Sequence, residues 1–146
     1  MSKFFDNTDL DINKAENIVS STLNKCDDGE LYLENSKSEA IILDDNKIKS
    51  SNFTNDVGYG FRAITGDVVA YSHSNDISEN SLKNSSANLK STLSSNKGNY
   101  DNQIKKTNQK FYKEIDPIDN KSMDSKIKLL NEINEYARSI DDSVKQ

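Results

Sequence analysis

Tryptophan is absent from this sequence, and cysteine, histidine and proline each occur once, as Cys26, His73 and Pro117. A lone cysteine excludes an intrachain disulfide, which suits a reducing compartment. With no histidine near it in sequence, Cys26 reads as a small apolar residue after a helix and not as a catalytic thiol. A lone histidine would leave a zinc site to draw every other ligand from Asp, Glu or Cys26. Arginine is nearly missing too, at Arg62 and Arg138 only, while Asn and Lys abound, a pattern that AT-rich codon usage produces. No apolar run approaches the roughly 18 residues that a membrane span needs. Met1 to Asp6 has no long apolar core, so no signal peptide is expected. Hydrophobic residues make up 33% of the chain, short of the usual ~45–50%, so the core must be small and some segments poorly ordered. Net charge is −5 with a pI near 4.9. The lysines are scattered, so a sequence-independent grip on nucleic acid is not expected.

Against that background one stretch stands out. Three of the five glycines, Gly58, Gly60 and Gly66, fall within nine residues, inside a block of β patterning from Glu30 to His73. The 146 residues suit one domain. Its leading helix, within residues 1–28, is expected from about Asp11 to Lys25. Ile12, Ala15, Ile18, Val19, Thr22 and Leu23 form its apolar stripe. Residues 29–74 read as four antiparallel strands. The first runs from Glu30 to Leu43, with a polar edge or bulged stretch at Ser36 to Glu39. The turn Asp44-Asp45-Asn46 leads to Lys47–Phe53, and a second turn at Thr54-Asn55-Asp56 leads to Val57–Ile64. The hairpin turn Thr65-Gly66-Asp67 then leads to Val68–His73.

Asp76-Ile77-Ser78-Glu79 has capping-box spacing and opens a helix over 76–93. Residues 94–117 read as a mobile connection, since Ser94 to Lys110 is nearly free of apolar residues. Ser122 caps a last helix over 122–144. There Met123, Ile127, Leu130, Ile133, Ala137, Ile140 and Val144 recur at helical spacing. The fold class is therefore α+β, a four-stranded antiparallel sheet with flanking helices.

No catalytic constellation emerges. Gly58 and Gly60 alternate with large residues, which means either close approach of a ligand or backbone, or tight packing of a helix. No third glycine opens a helix and no Lys-Ser or Lys-Thr follows Gly66, so this is not a phosphate loop. Arg62 can clamp a carboxylate bidentately or pair with a cross-strand acid such as Glu39. The acid pairs Asp27-Asp28, Asp44-Asp45 and Asp141-Asp142 sit at turns and helix ends and lack calcium-loop spacing.

Taken in order, Glu30-Leu31-Tyr32-Leu33-Glu34, Ser36, Ser38-Glu39, Leu43-Asp44-Asp45, Ile48-Lys49 and Val57-Gly58-Tyr59-Gly60-Phe61-Arg62-Ala63-Ile64-Thr65-Gly66 resemble the N-terminal domain of the TldD/PmbA metallopeptidases. Ala70-Tyr71-Ser72, Asp76-Ile77-Ser78 and Asp116-Pro117 continue the series. The resemblance implies a cytoplasmic, dimeric peptidase family acting on small unfolded peptides, TldD working with its PmbA (TldE) relative. Its zinc is held by an HExxxH helix and further ligands in a C-terminal half. With His73 alone this chain has no HExxxH, so no catalytic or metal residue carries over, and no cofactor is expected in this chain. The resemblance points to an N-terminal portion, inactive alone, which a separately encoded C-terminal peptidase half or a PmbA/TldE-like subunit would complement. On this reading Gly58, Gly60 and Arg62 help bind extended peptide on the sheet. No nucleic-acid or membrane partner is expected. The alternatives are a non-enzymatic peptide- or partner-binding module, or a decaying gene product without a stable fold.

Overall fold

A computed structural model of the chain describes residues 3–94, 111, 113, 115–141 and 143–144. Most of the expected mobile connection, 95–110, lies outside the described residues. The elements run α1 (Ile12–Leu23), β1 (Asp28–Asp44), β2 (Lys47–Thr65), β3 (Val68–Ser74), α2 (Glu79–Thr92) and α3 (Met123–Ile140), after a short 3-10 turn at Lys3–Phe5. The sheet orders its strands β1-β2-β3. It is α+β, with three strands among the described residues and not the expected four.

The difference lies at Thr54-Asn55-Asp56, which continues β2 and does not turn. Asn and Asp favour turns by tolerating left-handed backbone, but none of these three adopts it. The true reversals do. Asp45 and Asn46 have φ of 46° and 59°, and Gly66 has φ of 57°. These suit two-residue hairpin loops, whose twist matches that of the strands they join. β1 is itself 17 residues long and is hydrogen-bonded to β2, and continued pairing satisfies the backbone better than a third reversal.

Two compact units share these strands. The first holds residues 1–35 and 56–108 and contains the hydrophobic core found among the described residues. Alternation places Tyr59, Phe61, Ala63 and Thr65 on one face of β2, where each is buried. The β2–β3 register sets Phe61 across from Ser72 and Ala63 across from Ala70. This face is covered by Ala15, Val19 and Leu23 of α1 and by Leu82 and Leu89 of α2. Asp11 caps α1 by accepting from the Lys14 amide at 2.8 Å. The cap of α2 is Ser78, which accepts from the Ser81 amide at 3.1 Å, and not Asp76. Glu79 does not reach back as a capping box would. It pairs instead with Lys14 of α1 at 2.8 Å and with Lys83 at 2.6 Å. The two ammonium groups, Lys14 first, draw its carboxyl down from 4.5 to about 2.

Hydroxyls stitch α2 to its neighbours. Tyr59 Oη lies 2.9 Å from Ser81 Oγ and 2.8 Å from Ser85 Oγ, and Ser72 Oγ donates to Ser85 Oγ at 2.9 Å. Thr22 of α1 and the buried Ser86 share a bond of 2.6 Å. Cys26 is buried, its thiol 3.7 Å from the Thr22 carbonyl.

The second unit holds residues 36–55 and 109–146. Here Ser122 caps α3. Ile127, Leu130 and Ala137 are half-buried, but no residue of α3 is fully buried. Asp116 forms an Asx turn over Pro117, its Oδ1 accepting from the Ile118 and Asp119 amides at 3.0 and 3.2 Å. Lys37 of β1 bonds both Asp116 and Asp119 at 2.6 Å. That contact, with the Asp119 amide next, holds the Asp116 carboxyl well below the usual range. Lys126 of α3 pairs with Glu39.

Candidate functional site

Because both helices cover the face of β2 that carries Phe61, the opposite face of the first unit faces outward. Period-two alternation puts Glu30, Tyr32 and Glu34 of β1 there. It also puts Gly58, Gly60 and Arg62 of β2 on that face, and the register adds Val69, Tyr71 and His73 of β3. Tyr32 and Tyr71 are 59% and 63% exposed.

Between them runs a shallow groove of about 240 Å³, lined by Tyr32, Glu34, Asp56, Gly58, Gly60, Tyr71, Ser74 and Asn75 among others. The glycines make the floor possible. A Cβ at Gly60 would stand 2.8 Å from Tyr71 Oη and 3.2 Å from its Cε2, so the tyrosine ring leans directly over bare backbone. At Gly58 a Cβ would lie 3.1 Å from the Ser74 carbonyl and 3.2 Å from Asn75 Oδ1. Helix packing does not explain these glycines, since the helices lie on the other side of the sheet. Tyr32 Oη donates to Glu34 at 3.0 Å, and that bond raises the phenol's pKa so that it stays protonated. A larger hollow, about 420 Å³, is lined by side chains of α3 alone and has no enclosing second wall.

Of the three residues singled out in the sequence, Gly58 and Gly60 meet in the groove. Arg62 lies on the same face but not in the lining. Its guanidinium bonds Glu30 at 2.9 Å, whereas Glu39, the acid expected to face it, pairs with Lys126. The Arg62 Nε is buried without a partner among the described residues. Sequence reasoning missed Tyr32, Glu34, Asp56 and Tyr71. The available signal was phase: each tyrosine occupies the outward register of its strand, where a soluble sheet places polar residues.

Zinc finds no seat among the described residues. No three His, Cys, Asp or Glu side chains gather as a metal-holding group. His73 stacks on Tyr71, with centroids 5.9 Å apart and planes inclined by 26°. Among the described residues no helix is long and apolar enough to cross a membrane.

The match to known proteins covers this same structure. Residues 29–94, from the start of β1 through α2, match the family model for PmbA/TldA metallopeptidase domain 1. The chain is 35% identical over 119 residues to a metalloprotease TldD homolog of Buchnera aphidicola. It is 28% identical over 126 residues to the metalloprotease TldD homolog of Haemophilus influenzae. Each alignment covers 81% of this chain and 25% of the relative. The chain is thus TldD/PmbA-like, with the first domain of that family matched at residues 29–94. It spans about a quarter of the length of the curated relatives it matches.

Proposed function

We propose that this chain is the substrate-presenting N-terminal part of a TldD-like metallopeptidase, inactive alone, and that it holds small unfolded peptides for a catalytic centre supplied by another polypeptide. The observation that carries the reading is the outward groove over Gly58 and Gly60. Bare backbone at the floor admits an extended main chain more closely than any side chain would. The two tyrosine walls offer apolar area at low entropic cost. The family of the relatives supplies the reaction class, hydrolysis of a peptide bond.

The partner in this reading carries the HExxxH half of the family, either separately encoded or as a PmbA/TldE-like subunit. The work is cytoplasmic, a setting that the buried free thiol of Cys26 suits. The test is reconstitution. This chain and a C-terminal half bearing HExxxH, purified separately, should each be inert toward an unfolded peptide. Mixed with zinc, they should cleave it. A mixture as inert as its parts would sink the catalytic reading.

A second reading, a non-enzymatic partner-binding module, draws on α3. Leu129, Ile133, Tyr136 and Ile140 recur at helical spacing and are 55–70% exposed, forming an apolar stripe that a partner helix would cover. Affinity capture followed by mass spectrometry separates the two. Recovery of a polypeptide with HExxxH supports the first reading, and recovery only of partners without it supports the second.

A further inference from the structure

The groove has a charge as well as a shape. Its lining holds two carboxylates, Glu34 and Asp56, and no Lys, Arg or His. Both tyrosine walls are more than half exposed. Glu34 spends one oxygen, Oε2, on the Tyr32 hydroxyl, which leaves the other to a ligand. The nearest cation along the strand, Arg62, is already engaged by Glu30. His73 stacks on the far wall, Tyr71, and lies outside the lining. Aromatic faces with adjacent carboxylates and no competing cation are the chemistry that receives a positive charge.

We infer that this groove selects for a cationic side chain, lysine or arginine, in the extended peptide, with Tyr32 and Tyr71 as the walls and Glu34 and Asp56 as counter-charges. The inference rests on the groove being the peptide site proposed above and adds which peptides it prefers. Lysine would sit between the rings as a compact ammonium. Arginine would stack its planar guanidinium on a ring face and donate to the remaining oxygen of Glu34. Phosphorylated or acidic peptides would be repelled.

The test uses the whole chain and three N-acetylated, C-amidated, fluorescein-labelled heptapeptides of glycine and serine. They differ only at the central residue, which is lysine, arginine or the uncharged isostere norleucine. Anisotropy should show lysine and arginine peptides binding roughly five- to thirtyfold more tightly than norleucine. Their mutual ranking reports which cation fits. Glu34→Gln and Tyr71→Ala should each remove a several-fold part of that preference. Both residues are exposed, and far-UV circular dichroism confirms that the variants fold. Glu135→Gln on α3 removes the same charge from a different surface and should change nothing. Equal affinity for all three peptides overturns the charge preference alone. Binding of none overturns the peptide site as well. Equal weakening by Glu34→Gln and Glu135→Gln would mean attraction to the acidic chain as a whole and overturns the inference.

Discussion

Gly29 offers the sharpest test of how the helices are seated beneath the groove. A Cβ at this position would lie 2.3 Å from Leu23 Cδ2, 3.0 Å from Leu23 Cδ1 and 2.8 Å from the Arg62 carbonyl oxygen. Carbon atoms rest at about 3.5–4.0 Å, so the shortfall against Cδ2 exceeds one ångström. Neither neighbour can yield cheaply. Leu23 is 1% exposed in the core, and the Arg62 oxygen belongs to the backbone of β2. Gly29→Ala therefore overpacks the seam where the end of α1 meets β1, at a cost of about 1–3 kcal/mol. Reduced freedom of the unfolded chain returns about 0.4–1 kcal/mol. That gain applies in full only where the native site accepts the methyl group, so the clash prevails.

A double-mutant cycle isolates the contact. Leu23→Ala alone should cost about 2–5 kcal/mol. In that background Gly29→Ala no longer meets the leucine methyls, so the pair should be less than additive by about 1 kcal/mol or more. Urea unfolding followed by far-UV circular dichroism gives all four corners. A neutral or stabilising Gly29→Ala, or additivity within about 0.5 kcal/mol, would refute the close seating of α1 on this strand.

Four further outcomes are expected. Gly60→Val should weaken peptide binding more than it weakens folding, because the atoms nearest an added Cβ belong to the exposed ring of Tyr71; matched losses in anisotropy and urea titrations would count against it. Glu79, with its folded pKa drawn down to about 2 from 4.5, contributes stability that is present above pH 4.5 and is lost as the pH falls through 2. Removing Lys14 should flatten that part of a pH–stability curve, and an unchanged curve would show that the pair does not matter. Tyr59→Phe should cost about 0.5–1.5 kcal/mol, read from urea midpoints, because Ser81 and Ser85 lose their phenol partner. In Lys37→Met the Asp116 carboxyl should rise toward the ordinary aspartate range, as followed by NMR titration, since its bond to Lys37 is what chiefly depresses it.

Residues whose local geometry admits one solution were legible in the sequence. Asp45-Asn46 and Gly66 announce left-handed backbone and adopt it, and Ser122 caps the helix it precedes. Thr54-Asn55-Asp56 misled because its residue types permit a turn without requiring one, and the length of β1 decides the matter from outside the segment. Asp76 misled in the same way: an equally good cap stands two residues on, at Ser78. The site was half legible. Glycines alternating on a strand mark close approach, but what approaches Gly60 is Tyr71, which only the β2–β3 register brings near. The acids of the groove come from the interiors of two different strands, a juxtaposition no local pattern records. Ser85 and Ser86 escaped notice because a buried serine looks like its many exposed counterparts until a partner is seen.

Those serines carry a consequence for how this sequence can drift. An apolar core tolerates exchange of one hydrocarbon for another, because dispersion has little direction. The contacts of Tyr59 with Ser85, of Ser85 with Ser72, and of Thr22 with Ser86 have direction, and losing one member strands a buried partner. In a chain so rich in serine most positions are interchangeable surface. A few are fixed as firmly as any leucine. Homologues that have exchanged Ser85 should have exchanged Tyr59 or Ser72 along with it, so that the hydroxyls leave the interior together.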